Sequence, residues 1–444
     1  MLALRDPTLR RRHEKNFDNL KVWLLASVIV VVLWNCNSAS PTVSVAPQDT
    51  GPAHSFVVVS TGQNKYYNDI GREIPLPRKG EPFYGQDAQY VSIPMQYKDN
   101  GDGTVSDLNT GLMWQKTPIA DITWDEAVAK AARFESGGYN DWRLPTIKEL
   151  YSLISFTGRT GRSASDSIPY IDTKYFNFSY GDTSKGERFI DVQCWSSTEY
   201  VSTTMGNDAT VFGVNFADGR IKGYPKYDPR NRRQGMRKVV RYVRGNTRYG
   251  TNNFRDNGDG TITDSTTGLM WMKIDSGTLK AGLKGDGAMN WQQALAWAEN
   301  LKYAGYSDWR VPNAKELQSI VDYSRSPATT QSAAIDPIFS TTAIKAAEGK
   351  RTYPYFWSST THLDGVQPGM RAVYVAFGEA QGYMELPPGS GNKRLLDVHG
   401  AGAQRSDPKV GDPAEYAGGF GPQGDVIRIY NFVRCVRGGV LNVK

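Results

Sequence analysis

Asp99-Asn-Gly-Asp-Gly-Thr104 and Asp256-Asn-Gly-Asp-Gly-Thr261 are two copies of one segment, each set between stretches of alternating apolar and polar residues. Such Asn-Gly and Asp-Gly pairs predict the turn of a β-hairpin, because both central positions of the turn need a positive φ. Four further blocks follow each copy in the same order. They are Thr110-Gly-Leu-Met-Trp114 and Thr267-Gly-Leu-Met-Trp271, Asp141-Trp-Arg-Leu-Pro145 and Asp308-Trp-Arg-Val-Pro312, Trp195-Ser-Ser-Thr198 and Trp357-Ser-Ser-Thr360, and Arg241-Tyr-Val-Arg-Gly245 and Arg434-Cys-Val-Arg-Gly438. The sequence therefore predicts two tandem domains built on one plan.

Two helices are predicted in each copy. Their starts have capping-box spacing, at Thr123 with Glu126, Thr146 with Glu149, Asn290 with Gln293 and Asn313 with Glu316. Short strands follow around the later blocks. The fold class is therefore predicted as α+β, with each domain made of a hairpin, two helices and short antiparallel strands with long loops.

The chain divides into four segments by composition and by the repeat. Residues 1–36 form an export leader, and residues 37–55 are a linker rich in Ser, Thr, Pro and Gly. Residues 56–247 form the first domain, with an extra N-terminal piece up to Tyr97. Residues 248–444 form the second domain, with a long insertion near 381–425 that is rich in Gly, Pro and Asp. A loop of that length inside a domain is usually functional or disordered.

The first residues resemble an export signal. A basic segment precedes the apolar run Val22–Trp34, whose 13 residues are short for a membrane span. Cys36 closes this run and is a candidate for lipidation. Cleavage near Ser38 and an uncleaved anchor are the alternatives. The predicted location is the outer membrane, the cell surface or the periplasm, with the membrane contacted through a lipid or the N-terminal segment.

Charge and cysteine content narrow the classes of partner. The formal net charge is +7, and the leader carries six basic and three acidic residues, so the remainder keeps +4. Such a mild excess over 408 residues does not predict nucleic-acid binding. Besides Cys36, the chain has Cys194 and Cys435. These two either form a disulfide between the repeats or remain two buried thiols.

The repeated blocks as a set resemble the Lcl C-terminal domain family, over most of residues 56–438. The resemblance implies a variant of the C-type lectin-like fold. The family's namesake is a collagen-like surface adhesin whose C-terminal domain engages sulfated glycosaminoglycans, which implies glycan binding or adhesion here. This chain has no collagen repeat, so the namesake's trimeric stalk is not implied.

Two groups of residues are the candidates for a binding site. The first is a basic run with interleaved tyrosine, since Arg forks bind sulfate or carboxylate and Tyr rings can stack on sugars. Its members are Arg220, Lys222, Tyr224, Lys226, Arg230, Arg232, Arg233 and Arg237. The second group lies in the insertion and consists of His399, Arg405 and Asp407. Asp397, His399 and Asp407 are the candidate ligands if a metal is present.

Catalysis and cofactors are not predicted. Calcium at the Asp-Asn-Gly-Asp-Gly loops is the alternative to a plain turn, but Lys98 and Arg255 occupy the first ligand position. No His recurs between the copies, which excludes a Ser-His-Asp triad in both domains. The Arg-Leu-Pro-Thr stretch is also similar to formylglycine-generating enzymes, but that chemistry needs a Cys pair that neither domain has.

The predicted function is non-catalytic binding of glycans or anionic polymers by an exported, adhesin-like protein, with a sulfated or otherwise anionic glycan as the suspected partner. Two alternatives remain open. One is a structural scaffold of the envelope with no small ligand. The other is an enzyme of the formylglycine-generating kind, which would need acid and base groups converging in a pocket.

Overall fold

The structure is a computed structural model that describes residues 55–346, 349–387 and 389–444. Strand accounts for 33% of it and helix for 12%, so strands set the architecture. The predicted leader, the lipidation candidate Cys36 and the linker up to residue 54 lie outside the described residues. Within the described ranges, no helix has both the length and the apolar character that a membrane span requires.

The front piece and the first repeat contain fourteen of the described strands and two α-helices. The strands are β1 (Tyr66–Tyr67), β2 (Glu73–Ile74), β3 (Tyr90–Val91), β4 (Tyr97–Asp99), β5 (Thr104–Asp107), β6 (Leu112–Gln115), β7 (Ile119–Thr123), β8 (Gln193–Thr204), β9 (Asp208–Asn215), β10 (Arg220–Pro225), β11 (Tyr227–Asp228), β12 (Asn231–Gly235), β13 (Arg237–Val240) and β14 (Val243–Gly245). The helices are α1 (Trp124–Ala131) and α2 (Ile147–Ser152).

The second repeat contains the rest of the described elements. The helices are α3 (Trp291–Asn300), α4 (Ala314–Ser319) and α5 (Pro327–Thr330). The strands are β15 (Phe254–Asp256), β16 (Thr261–Asp264), β17 (Leu269–Met272), β18 (Ile344–Lys345), β19 (Arg351–Thr352), β20 (Tyr355–His362), β21 (Arg371–Ala376), β22 (Gln381–Glu385), β23 (Lys393–Asp397), β24 (Gln404–Pro408), β25 (Val436–Arg437) and β26 (Asn442–Val443). Single 3-10 turns lie at Asp87–Gln89, Ala164–Asp166, Thr183–Lys185 and Pro413–Tyr416.

Each repeat opens with a four-stranded antiparallel sheet, ordered β14-β6-β5-β4 in the first and β15-β16-β17-β25 in the second. The predicted hairpin turns join β4 to β5 and β15 to β16 and are confirmed. Asp102 Oδ1 accepts hydrogen bonds from the N–H (3.0 Å) and hydroxyl (2.6 Å) of Thr104. Asp259 and Thr261 make the same pair of bonds, at 2.9 and 2.6 Å. The turns therefore use these carboxylates to hold their own backbone.

The helix starts agree with the sequence prediction. All four capping boxes are present, at the N-termini of α1, α2, α3 and α4. The capping glutamate of α2 also accepts two hydrogen bonds, of 2.6 and 2.8 Å, from the guanidinium of Arg143. In α4, Glu316 accepts the equivalent pair from Arg310 at 2.6 and 2.7 Å. Such bidentate ion pairs tie each helix start to the preceding loop.

One sheet runs through both repeats, in the order β20-β21-β24-β10-β9-β8-β13-β7. The strand β8 and its counterpart β20 carry the Trp-Ser-Ser-Thr blocks, which lie on opposite sides of the sheet's centre. At the centre, β10 of the first repeat pairs antiparallel with β24 of the second, with Ile221 opposite Gln404. The sheet therefore joins the repeats through their backbones, and the described residues form one compact unit.

The insertion of the second repeat is more ordered than a long loop. Its first part is the hairpin β22–β23, and its later part includes β24 at the centre of the shared sheet. In the first repeat, β10 follows β9 directly after a short turn. In the second repeat, β22 is the strand that follows β21 in sequence, but it pairs with β23 outside the shared sheet. The insertion strand β24 therefore takes the position beside β21 that β10 has beside β9.

Two lysines cross between the repeats in a reciprocal way. Lys148 of α2 donates a 2.8 Å hydrogen bond to the carbonyl of Ser319, the last residue of α4. Lys315 of α4 donates a 2.8 Å bond to the carbonyl of Ser152, the last residue of α2. Each ammonium thus meets carbonyls at the negative end of the other helix. The two repeats face each other through equivalent surfaces.

The front piece packs against the second repeat. Asp87 accepts 2.6 Å bonds from the hydroxyls of Thr61 and Thr360, and burial raises its pKa to about 6. The short strand β3 pairs with β26 near the C-terminus. The extra N-terminal piece therefore contacts both repeats, since the carbonyl of Thr61 also accepts a 2.7 Å hydrogen bond from the N–H of Phe156 in the first repeat.

The two cysteines of the described part are separate thiols. Cys194 and Cys435 are both buried and neither forms a disulfide. Burial raises the pKa of both, to about 11 for Cys194. A thiol with a raised pKa is a weak nucleophile, so both residues serve as apolar packing groups.

Candidate functional site

A polar cleft of about 250 Å³ lies where the two repeats meet and is called the inter-repeat cleft below. The first repeat contributes Arg220, Lys222 and Tyr224 from β10, together with Asp218 just before it. The second repeat contributes Asp364, His399, Arg405, Asp425 and the loop 420–423. The cleft therefore unites members of both groups that the sequence singled out, although they are far apart in the chain.

Strand alternation explains why three of these side chains share one face. Successive side chains of a strand point to opposite faces, so Arg220, Lys222 and Tyr224 lie together. Ile221, between them, is fully buried in the main hydrophobic core. The N–H of Gly223 donates to the carbonyl of His399 at 2.8 Å, which anchors the insertion beside β10.

A tight loop closes the other wall of the cleft. Phe420 and Asp425 exchange two backbone hydrogen bonds, of 2.9 and 2.7 Å, across the turn between them. Gly424 has a φ of +60°, and a Cβ there would lie 2.1 Å from the carbonyl oxygen of Tyr383. Only glycine fits this position. The loop thus places the Asp425 carboxylate inside the cleft and the Phe420 ring, which is 50% exposed, at its mouth.

The charged groups of the cleft form a chain of ion pairs across the repeat boundary. Asp218 contacts Lys222 at 3.0 Å and Arg220 at 3.3 Å, and Arg220 also binds Asp364 of the second repeat. On the far side Arg405 binds Asp425. These side chains are at most 18% exposed, so solvent screens them little.

His399 completes this network as a neutral donor. Burial, followed by the nearby Arg405 charge, lowers the pKa of His399 to about 4. At neutral pH the ring is uncharged and donates from Nε2 to Asp425 Oδ1 at 2.7 Å. Burial also lowers the pKa of Lys222 to about 8. Although burial opposes it, the surrounding cations keep the pKa of Asp218 below its ordinary value.

Several polar atoms in the cleft have no hydrogen-bond partner within the described chain. They are Asp218 Oδ1, Arg220 Nε, Tyr224 Oη and Arg405 Nη1, and each is buried. Leaving a buried polar atom unpaired costs roughly 1–3 kcal/mol. Folded proteins pair almost all such atoms with protein, water or ligand. The cleft thus gathers four buried polar atoms that have no protein partner among the described residues.

The rest of the predicted basic run does not reach the cleft. Lys226 contacts Glu199 at 3.2 Å and lies 3.8 Å above the centre of the Trp124 ring. Arg237 binds Asp121 and Glu126 on the other side of the first repeat. The remaining three lie on the exposed hairpin β11–β12, which is called the basic hairpin below: Arg230, Arg232 and Arg233.

The candidate metal ligands have separate partners. Asp397 accepts hydrogen bonds from the Tyr200 hydroxyl at 2.7 Å and the Gly400 N–H at 2.8 Å. Asp407 accepts one from the Arg428 N–H at 3.0 Å, and His399 donates to Asp425. Within residues 55–444 as far as they are described, no three His, Cys, Asp or Glu side chains are grouped as metal ligands.

Sequence reasoning missed the carboxylates and the aromatic ring of the cleft. Asp218, Asp364 and Asp425 come from three separate turns, and only tertiary pairing brings them together. Phe420 lies in a Gly-rich stretch with no periodicity. Only Asp218 could have been identified from the sequence. It lies two residues before Arg220 and four before Lys222, and alternate residues of a strand point to the same face.

The family comparison agrees with the repeat. A model of the Lcl C-terminal domain matches residues 103–244 and 260–395, which together make up more than half of the chain. Each match contains the second, third and fourth repeated blocks of its copy in full. No curated protein and no solved structure matches the chain.

Proposed function

The chain belongs to the Lcl C-terminal domain family, with two tandem copies, and we propose that the copies together bind a glycan non-catalytically in the inter-repeat cleft. The observation that carries the proposal is the set of unpartnered buried atoms around the cleft. Asp218 offers an acceptor, Arg220 and Arg405 offer donors, and Tyr224 offers both. Neighbouring hydroxyls of a sugar ring present matching donors and acceptors.

Phe420 adds the second element of a sugar site. Ligand pockets combine apolar or aromatic walls with a few placed polar groups. The Phe420 ring is held by Arg371, 4.7 Å from its centre, and by an edge contact with Tyr416. The residue as a whole remains 50% exposed beside the cleft. Its exposed surface suits the apolar side of a sugar ring.

The electrostatics of the cleft favour binding over catalysis. A glycosidase-type site needs a carboxylic acid whose pKa is raised so that it can donate a proton. Neighbouring cations instead lower the pKa of Asp218, Asp364 and Asp425, although burial opposes this. The lowered pKa of His399 leaves it neutral and bonded to Asp425. These groups support recognition by fixed charges and dipoles.

The proposal includes the setting of the protein. The basic and apolar N-terminal segment supports export, with anchoring through Cys36 or through the segment itself. The helix-and-strand plan of each repeat supports a variant of the C-type lectin-like fold. A glycan-binding role at the cell surface follows from these two features together with the cleft.

The basic hairpin is a second candidate contact for anionic polymers. Arg230, Arg232 and Arg233 are exposed, and the nearest carboxylate contact of their guanidinium groups among the described residues is 3.6 Å, from Arg232 to Asp208. Free guanidinium groups bind sulfate and carboxylate through paired hydrogen bonds. We expect this contact to add salt-sensitive affinity without selecting a particular sugar.

The test measures binding of the purified chain to an array of sulfated, carboxylated and neutral glycans. The informative variant is Tyr224→Phe, which removes only a hydroxyl that has no partner in the free protein. We expect the glycans that bind to lose about tenfold in affinity, while the thermal midpoint stays equal or rises, because the hydroxyl that is removed has no protein partner. Tyr97→Phe is the matched control, because the Tyr97 hydroxyl is also buried and unpartnered but lies outside the cleft. Equal affinity in wild type and Tyr224→Phe would contradict the proposed site.

A further inference from the structure

We propose that the first repeat binds a small aromatic carboxylate, such as phenylacetate, in a pocket where the second repeat has aromatic rings and a carboxylate of its own. The pocket has a volume of about 330 Å³ and lies between segment 177–192 and strands β8 and β13. It is called the loop pocket below. Contacts of Arg188 with Asp191 and of Lys238 with Gln193 close it off from the inter-repeat cleft, so this site is separate from the proposed glycan site.

The second repeat fills the equivalent space with aromatic side chains. Cys194 and Val239 form a parallel bridge between β8 and β13, and Phe356 and Phe432 form the same bridge in the second repeat. Phe356 packs edge-on against Phe377, with ring centres 5.1 Å apart, and all three rings are buried. In the first repeat the smaller side chains of Cys194 and Val239 line the loop pocket instead. The first repeat thus lacks two rings that the second repeat has at this position.

The walls of the loop pocket suit an aromatic ligand. Phe178 and Tyr180 both line it, and their rings pack edge-on with centres 4.9 Å apart. Phe216, the counterpart of Phe377, lines it as well. Aromatic rings pair favourably with one another in edge-on or offset contacts, with centres roughly 4.5–7 Å apart. Because the volume lies at the lower end of the range for small-molecule pockets, the pocket favours a ligand of one or two rings.

The second repeat also supplies a carboxylate that the first repeat lacks. Arg241 and Arg434 are both buried and donate to equivalent backbone carbonyls. Asp275, four residues after the repeated Thr-Gly-Leu-Met-Trp block, lies 3.8 Å from the Arg434 guanidinium. Pro118 takes this position in the first repeat, and the hydrogen bonds of the Arg241 guanidinium in the described chain all go to backbone carbonyls. Pro118 and Arg241 both line the loop pocket. A ligand carboxylate there would stabilise a buried cation that has no acidic partner.

Ser179 offers a second contact for the same carboxylate. In the second repeat, the N–H and the hydroxyl of Thr342 donate to the buried aspartate at 2.8 and 2.6 Å. Ser179 is the counterpart of Thr342, because Asn177 and Ser340, two residues before each of them, make the same backbone contacts. Ser179 lines the loop pocket and is exposed. Its hydroxyl can therefore donate to a ligand carboxylate that the Arg241 guanidinium also binds.

The charges around the loop pocket favour an anionic ligand over a neutral one. Three carboxylates of the lining already have basic partners. They are Asp191 with Arg188 at 2.6 Å, Asp121 with Arg237 at 2.9 Å and Asp182 with Lys185 at 3.5 Å. A fourth, Glu187, is exposed and accepts a hydrogen bond from the N–H of Asp182 at 2.9 Å. Arg241 and Lys238, by contrast, line the pocket without a carboxylate contact among the described residues.

The experiment is calorimetric titration of the full chain with phenylacetate and with its neutral amide, phenylacetamide. We expect one phenylacetate to bind per chain, about tenfold tighter than phenylacetamide, because the amide carries no charge for Arg241. Ser179→Ala should weaken phenylacetate binding about fivefold. Ser165→Ala, at an exposed serine outside the pocket, is the matched control and should leave the affinity unchanged. Pro118→Asp, which introduces the residue of the second repeat, should remove the preference for the acid over the amide.

Cys194→Phe places an aromatic ring of the second repeat in the loop pocket and should abolish binding of both compounds. If this variant does not fold, Val239→Phe gives the same test. The proposal is overturned if phenylacetate does not bind the wild type at millimolar concentration, if the acid and the amide bind equally, or if the ring-filled variant still binds. Failure of the proposed glycan site would leave these results unaffected, because none of the changed residues lines the inter-repeat cleft.

Discussion

The first and second repeats share a scaffold but differ on one face of the common sheet. Gln193 and Gly213 of the first repeat correspond to Tyr355 and Tyr374 of the second. Gln193 and Tyr355 lie two residues before the repeated tryptophan, and Gly213 and Tyr374 pair with that tryptophan across the strands. In the second repeat the two tyrosine rings stack in parallel with centres 4.6 Å apart and fill the face. In the first repeat Gly213 lets the Tyr224 ring lie against β9, because a Cβ at this position would meet the ring at 3.1 Å. The two repeats thus fill the same face in different ways, with stacked tyrosines in the second and with Tyr224 beside Gly213 in the first.

The residues that recur in both repeats have structural roles. The hydroxyls of Thr198 and Thr360 each accept a 3.0 Å bond from the first N–H of α2 and α4. The indoles of Trp195 and Trp357 donate to the carbonyls of Ile122 and Met289. The repeated motifs therefore stabilise the scaffold that the two repeats share. The atoms without partners in the inter-repeat cleft belong to residues that do not recur.

The largest effect is expected from the repeated arginines. Arg241 donates to the carbonyls of Gln115, Lys116 and Asn177, and Arg434 makes equivalent bonds to Met272, Lys273 and Ser340. Arg241→Met and Arg434→Met should each lower the free energy of unfolding by about 3–5 kcal/mol, because buried carbonyls lose their donors. Urea denaturation measures this. If one variant loses several kcal/mol of unfolding free energy and the other loses less than about 1 kcal/mol, the two arginines do not play equivalent roles in the two repeats.

The second largest effect is expected on the pH dependence of stability, which depends on the two lysines that cross between the repeats. Burial lowers the pKa of Lys315 to about 7 and that of Lys148 to about 8, below the ordinary 10.5. Between pH 7 and 10 the unfolded chain therefore binds more protons than the folded chain, so stability rises with pH. The rise is up to about 1.4 kcal/mol per pH unit for each lysine.

Lys315→Met should flatten this rise above pH 7, and Lys148→Met should do so above pH 8. Denaturation at pH 7, 8, 9 and 10 compares the slopes. Lys345→Met, at an exposed position, is the control and should leave the slope unchanged. An unchanged slope in both variants would mean that the two lysines are not enclosed between the repeats.

The features that the sequence predicts are those whose interacting residues lie close together in the chain. The hairpin turns and capping boxes were predicted correctly because their donors and acceptors lie within four residues of each other. The Gly- and Pro-rich sequence of the insertion predicts only a long loop. Its strand β24 is defined by pairing with β10 and β21, and no local pattern in Gln404–Pro408 reveals those partners. The inter-repeat cleft depends on the same long-range pairing.

A smaller effect is expected at the mouth of the inter-repeat cleft. Phe420→Ala should weaken saccharide binding about tenfold, because the ring offers a stacking surface. The free energy of unfolding should change by less than about 1 kcal/mol, since Phe420 is an exposed residue. Tyr139→Ala is the matched control, because Tyr139 is also partly exposed beneath an arginine but lies elsewhere in the first repeat. Equal losses in both variants would argue against a specific role for Phe420.

The smallest effect is expected at the basic hairpin. Arg232→Ala combined with Arg233→Ala should weaken binding of sulfated polymers about threefold at low salt. At high salt the effect should disappear because the charges are exposed and screened. Binding to short, neutral saccharides should not change. A salt-independent loss would instead place the hairpin within the site and move the site away from the repeat boundary.

The most direct test of the central claim is the number of ligands bound per chain. The claim is that the two repeats form one saccharide site between them, because the second repeat's own face is filled by Tyr355 and Tyr374. Titration of the Arg232→Ala, Arg233→Ala variant with the tightest-binding oligosaccharide measures this number without the contribution of the basic hairpin. One oligosaccharide per chain, lost on Tyr224→Phe, is the expected result. Two equivalent sites per chain would contradict the account, since they would show that each repeat binds glycan by itself.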